Sequence, residues 1–159
     1  MTNYHDEAGA TGHDGAYDVY PSSRLEGVRT RRVLAFLMDY TLVAIFWLLS
    51  LIPVFLLGVF TLGLAWLLYP VLGIVIALLY VGTTMSGPNQ ATWGMAFFSI
   101  RIEREDGAPV DFITAIVHAV AFWLAHAAFA PLLLISLFNA RKQLVQDILL
   151  GTVIVRTDR

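Results

Sequence analysis

From Val33 to Thr84 the chain carries a single ionisable acid or base, Asp39, in an otherwise apolar run of about 52 residues. As one helix that run would be about 78 Å long at 1.5 Å per residue, against a hydrocarbon core of about 30 Å. It must fold back on itself. The stretch from Leu57 to Gly63 holds two glycines around a threonine and no charge, so the turn is expected there, with Pro53 loosening the end of the first helix. This gives helix 1 near 32–56 and helix 2 near 63–84, with Pro70 and Gly73 inside the second. Gly73 and Ala77 form a small-xxx-small pair where another helix can approach closely.

Composition agrees with that reading and excludes several classes. Of the 159 residues 58% are hydrophobic and only 14% charged, and mean hydropathy is +0.71; soluble domains run about 45–50% apolar and about 25% charged. An ordinary soluble enzyme is excluded. Ten Lys and Arg are scattered and the net charge is -2, which offers no basic patch for nucleic acid. Cysteine is absent, so disulfides, thiolate catalysis and Cys-ligated zinc are absent too. No phosphate-cradling glycine spacing and no nucleophile triad is visible. The reading is a non-enzyme without cofactor or metal whose first partner is the lipid bilayer, with further copies of itself or other membrane proteins as the remaining candidates.

Residues 1–28 mix Gly, Asp, Ser, Tyr and His without apolar period and read as a disordered tail. They do not form a cleaved leader, because acids come first and no short apolar region with a cleavage site follows. His5-Asp6 and His13-Asp14 recur in this tail, but without fixed geometry they do not specify a metal site. Residues 157–159 form a short C-terminal tail. Between the tails, 29–156 is one transmembrane domain.

After the hairpin, Ile100–Arg104 alternates apolar with polar and reads as a strand that ends at the turn Glu105-Asp106-Gly107. Asp111 then offers an N-cap for a third apolar segment, 112–138, which contains His118, His126 and Pro131. An amphipathic stretch, Arg141–Leu150, leads into a second short strand, Thr152–Arg156. A lone strand is unstable, so the two should pair, which places both on one membrane face and makes the third segment enter and return, with Pro131 as the break. His118 and His126 stand about 80° apart around a helix and do not form a two-His ligand face. Trp47, Trp66, Tyr69, Tyr80, Trp93 and Trp123 read as interfacial or packing aromatics. The expected fold is an all-α integral membrane protein: a helical hairpin plus a third bent or re-entrant apolar helix, with a small two-stranded β element at the cytoplasmic interface.

Arg24, Arg29, Arg31 and Arg32 precede helix 1, whereas the hairpin turn is uncharged, so the N-terminal side is expected in the cytoplasm. Arg141, Lys142, Arg156 and Arg159 argue the same for the C-terminal side. Asp39 lies about 10 Å below Arg32 along the helix axis. An unpartnered carboxylate there costs about 2.5–3.5 kcal/mol or more, so it must be protonated, paired or hydrated. Helical side chains lean toward the N-terminus, which carries Arg32 away from Asp39. Arg141, Lys142, His118 and Gln90 are the candidate partners. Two roles stay open for Asp39: a buried polar contact that joins two elements, or an ion or proton site.

Three ordered blocks, Arg32-x-x-Ala35-x-x-x-Asp39, then Gln90-x-Thr92-x-Gly94 with Ile100-Arg-Ile and Asp106-Gly107, then Lys142-Gln143-x-x-x-Asp147-x-x-x-Gly151-Thr152, resemble the RDD family of small, mainly bacterial multi-pass membrane proteins. The resemblance covers residues 24–156 and puts the family's arginine and two aspartates on Arg32, Asp39 and Asp147. It implies a polar cluster of these three, supported by Gln90, Thr92, His118, Arg141 and Lys142, and a location in the bacterial cytoplasmic (inner) membrane. For function it implies transport of cations, protons or small solutes, or a scaffold or accessory role in which the Arg and Asp residues are structural. The chain departs from the family pattern at Met95, where a lysine is frequent, at His118, where an arginine is frequent, and at Gln146, where a histidine is frequent.

Overall fold

The computed structural model describes residues 20–128 and 134–158, apart from the side chain of His126. A short helix α1 (Ser22–Leu25) turns at Gly27 into the long helix α2 (Val28–Phe60). Pro53 sits inside α2 and does not end it; neighbouring structure tolerates the lost N–H, and helix 1 extends four residues past the expected end at 56. The chain reverses at Thr61–Gly63, where the Thr61 hydroxyl donates to Leu57 O at 2.8 Å and accepts from Ala65 N at 3.0 Å. Leu64–Leu68 then form a 3-10 turn that lays Trp66 on α2, stacked on Phe55 with ring centroids 6.1 Å apart. Gly58 is what admits the indole, since a Cβ there would lie 2.0 Å from Trp66 Cδ1.

Helix α3 (Tyr69–Met85) returns along α2, and Gly73 lies in ordinary contact with Trp47. Pro70, expected within the helix, instead falls in its first turn, where the missing N–H has no intrahelical partner to lose. Spans Ser22–Phe60 and Leu64–Met85 are long and apolar enough to cross a membrane, and only 6% and 11% of the most apolar window of each is buried inside the protein. Neither is therefore the covered core helix of a soluble fold.

Beyond α3 the chain builds a polar cap at one end of the hairpin. Thr92 opens a one-turn helix, α4 (Trp93–Phe97), by accepting from Met95 N. Strand β1 (Ile100–Arg104) pairs antiparallel with β2 (Thr152–Arg156), as expected, with Ile102 opposite Ile154. Ile102 N turns to the other side and donates to Gln90 O at 2.9 Å, so the loop covers the outer edge of β1. One face of this sheet packs Ile100, Ile102 and Ile154 against Val28, Ala35, Met85 and Ala115. On the other face Val153 and Val155 are covered by Tyr20 and Leu25, with Arg24 bound to Glu103 at 2.5 Å.

That second face corrects the reading of 1–28 as a disordered tail. Residues 20–28 fold onto β2, because an apolar strand face exposed to water needs a cover and Tyr20 and Leu25 supply one. Residues 1–19, with His5-Asp6 and His13-Asp14, lie outside the described residues. At the other terminus Thr157 N donates to Ser99 O and Asp158 pairs with both Arg156 and Arg31, so the first two residues of the supposed tail are tied to the end of the sheet.

Helix α5 (Phe112–Ala128) starts as expected at Asp111, whose Oδ1 accepts from Thr114 N at 2.7 Å. Its first turn lies at the last turn of α3, where Phe112 packs on Gly82, and Phe122 meets Phe36 of α2 at 5.7 Å. By Ser136, in the single turn α6 (Ile135–Phe138), the chain is back at Arg29, since Arg29 Nε donates to Ser136 O at 2.9 Å. Residues 135–138 therefore lie at the N-terminal end of α2. Pro131, the expected break, lies outside the described residues. Helix α7 (Val145–Leu149) then leads into β2.

Candidate functional site: two carboxylates at one end of the hairpin

Val28, Arg32, Ala35 and Asp39 recur at i, i+4, i+7 and i+11 on α2 and form the stripe it turns toward the cap. Val28 and Ala35 are fully buried there. Along this stripe the structure sets two polar groups about two turns apart.

The deeper one is centred on Asp39. Its Oδ1 accepts from Tyr80 OH at 2.5 Å and Gly94 N at 2.8 Å, and its Oδ2 accepts from Thr92 OH at 2.5 Å. One carboxylate therefore ties α2 to α3 and to the start of α4. Gly94 is needed for the approach, since a Cβ there would meet Ala35 O and lie 2.7 Å from Asp39 Oδ1. Tyr80 also accepts from Trp93 N at 3.3 Å and meets the Trp93 ring edge-on at 5.7 Å. Of the four partners anticipated for Asp39, none fills the role. Hydroxyl and backbone donors do, because α3 and the α4 turn bring them within reach. Tyr80, read as an interfacial or packing aromatic, is corrected to a hydrogen-bond donor to the half-buried acid. Its only signal in the sequence was an aromatic hydroxyl in the last turns of an otherwise apolar helix.

The second group is centred on Asp147, which is fully buried on α7. Arg32 Nη1 reaches its Oδ2 at 2.5 Å, His118 Nε2 reaches Oδ1 at 2.7 Å, and Leu144 N donates to Oδ2 at 2.9 Å. Burial pushes the Asp147 carboxyl up, and the Arg32 charge together with the His118 contact outweighs it, so the group sits below the ordinary carboxylate range. Arg32 and Asp147 are thus brought together with His118, while Asp39 holds its own donors in the adjoining group. Three buried atoms at this pair have no hydrogen-bond partner among the described residues: Arg32 Nε and Nη2, and Oε1 of Gln146.

The other supporting residues stand elsewhere. Gln90 clamps the backbone of Val110, donating from Nε2 to Val110 O at 3.2 Å and accepting from Val110 N at Oε1. Arg141 pairs with Glu105 at 2.7 Å, and Lys142 donates to Leu25 O. Gln143, absent from the anticipated set, is buried and bridges Glu105 and Thr152 O. Among the described residues no group of three or more His, Cys, Asp or Glu is placed to hold a metal ion.

The fold and the site together define a class: an apolar helical hairpin with a third apolar helix, capped at one end by a small sheet and by an arginine–aspartate and an aspartate–hydroxyl group. The RDD family model matches residues 27–151, and the chain belongs to the RDD family. Comparisons with curated proteins and with solved structures return no match.

Proposed function

We propose that this protein is an integral membrane protein of the bacterial cytoplasmic membrane that acts as a scaffold or accessory module, with the two aspartates holding its cap to its hairpin. The observation that carries this reading is the saturation of both carboxylates by donors from separate elements: Tyr80, Thr92 and Gly94 on Asp39, and Arg32, His118 and Leu144 on Asp147. An acid that carries protons or cations must exchange partners, and groups fixed by three donors each are built to stay. The apolar exposed hairpin suits lipid, and the chain has no Lys, Arg, Asp or Glu between Asp39 and Arg101. Basic residues before α2 and around β2 support a cytoplasmic cap.

The competing reading is cation or proton transport through Asp39. Flux into vesicles holding the purified protein, with and without Asp39→Asn, separates the two. No flux above empty vesicles supports the scaffold; flux that Asp39→Asn abolishes overturns it. Reporter fusions after Thr61 and after Asp158 test the topology, and a signal from outside the cell at Asp158 would refute the cytoplasmic cap.

A further inference from the structure

Seven of the nine described Lys and Arg side chains stand within 3.2 Å of an acid oxygen. The two that do not are Arg29 and Lys142. Each is instead anchored on a backbone carbonyl, Arg29 on Ser136 O and Lys142 on Leu25 O, and each is half-buried. An Arg has five N–H donors and a Lys three, so both keep donors beyond the carbonyl that positions them. They also stand close enough to repel: burial and then the Arg29 charge push the Lys142 ammonium below its ordinary value, with Glu26 acting in the other direction. One turn along α2, Arg32 adds a third cation, a second guanidinium whose Nε and Nη2 are buried without a partner among the described residues. A fold that pairs every other described cation with an acid within 3.2 Å has gathered these two on backbone carbonyls, with Glu26 as the acid that acts on Lys142.

We propose that Arg29 and Lys142 clasp the phosphate of an anionic phospholipid headgroup where α6 rejoins the start of α2. The inference rests on the membrane reading above. A phosphate oxyanion suits the pair because a guanidinium presents a planar fork and an ammonium a point charge, both of which bind phosphate. A lipid fits better than a free ion because the site opens onto apolar surface. Val33, one turn deeper on the Arg29 face, is 59% exposed, and beside Ser136 the side chains of Leu137 and Phe138 are 54% and 89% exposed. Basic pockets on the cytoplasmic side of membrane helices bind anionic headgroups in this way.

The test uses the full chain purified in detergent, with bound lipid counted by native mass spectrometry and unfolding followed by heating. The probes are phosphatidylglycerol, phosphatidylcholine and inorganic phosphate. Phosphatidylglycerol is expected to be retained and to raise the melting temperature, with roughly fivefold weaker retention in Arg29→Gln and again in Lys142→Gln. Arg29→Lys and Lys142→Arg, which keep the charge, should keep most of the effect, and so should Arg101→Gln, which alters an exposed cation outside the site. Equal retention in the double Gln variant, or equal binding of phosphatidylcholine, overturns the proposal. An equal shift with inorganic phosphate gives the site to a free anion and overturns the lipid. Whether the chain leaves the membrane fraction without detergent is measured separately, so failure of the membrane reading is distinguishable from failure of the headgroup site.

Discussion

Arg32 Nη1 stands 2.5 Å from Asp147 Oδ2, joining residues 115 positions apart in the chain and fixing α7 to the first turns of α2. The side chains are 14% and 1% exposed, so the pair is desolvated. Breaking such a pair from one side costs about 3–5 kcal/mol, because the remaining charge stays buried. The two sides are not equivalent. Asp147 keeps His118 and Leu144 N when Arg32 is removed, whereas Arg32 has no other hydrogen-bond partner among the described residues. Asp147→Ala should therefore destabilise more than Arg32→Ala, and the double variant should lose less than the sum of the singles. Thermal unfolding of the three variants checks this, and additive losses would contradict the pairing.

The same aspartate gives a pH dependence of defined sign. Its folded pKa lies below the unfolded value of about 3.9. The carboxylate therefore contributes stability that is present above about pH 4 and is lost as pH falls through the folded value. Asp147→Asn mimics the protonated group at every pH. The difference in melting temperature between wild type and Asp147→Asn should be large at pH 7 and shrink below about pH 4. A constant difference would mean that the aspartate does not titrate with folding.

Gly94 is predicted to be intolerant of any side chain. A Cβ would press on Ala35 O and on the Asp39 carboxylate, neither of which can move without breaking α2 or the Thr92 and Tyr80 hydrogen bonds. Gly94→Ala should cost about 1–3 kcal/mol, the range for overpacking. Tyr80→Phe removes one donor and should cost about 1 kcal/mol. Because Trp93 packs on Tyr80, its fluorescence should change in both variants. A Gly94→Ala protein as stable as wild type would show that α4 does not approach α2 as closely as described.

What the sequence disclosed followed from periodicity, and what it concealed depended on contacts across long separations. Two-residue alternation located both strands, and slipping their register by one residue would turn Ile102 and Ile154 to opposite faces. Asp111 as a cap and Glu105-Asp106-Gly107 as a turn are local signals, and both hold. The partners of Asp39 lie 41 to 55 residues away and carry no charge, so no pattern of charged residues led to Tyr80 or to the amide of Gly94. Helix α1 was missed because its only apolar anchors, Tyr20 and Leu25, gain meaning once β2 exposes Val153 and Val155 to them. Arg32 and Asp147 were singled out by family resemblance; the histidine that completes their group stood only among the supporting residues.

The sheet register offers a final test with no competing chemistry, because the chain contains no cysteine. Ile102 and Ile154 are directly opposite, and Ile102 N bonds Gln90 O rather than the partner strand, so this is a non-hydrogen-bonded pair. In such pairs the Cα atoms are about 4.5 Å apart, within the range a disulfide spans. Ile102→Cys with Ile154→Cys should oxidise to a single intramolecular crosslink, seen as a mobility shift that reductant reverses. Ile102→Cys with Val153→Cys places the thiols on opposite faces of the sheet and should stay reduced under the same conditions. Crosslinking in the second pair, or none in the first, would show a register shifted by one residue. It would also turn Ile154 away from Val28 and Ala35, and so break the packing that holds the cap on α2.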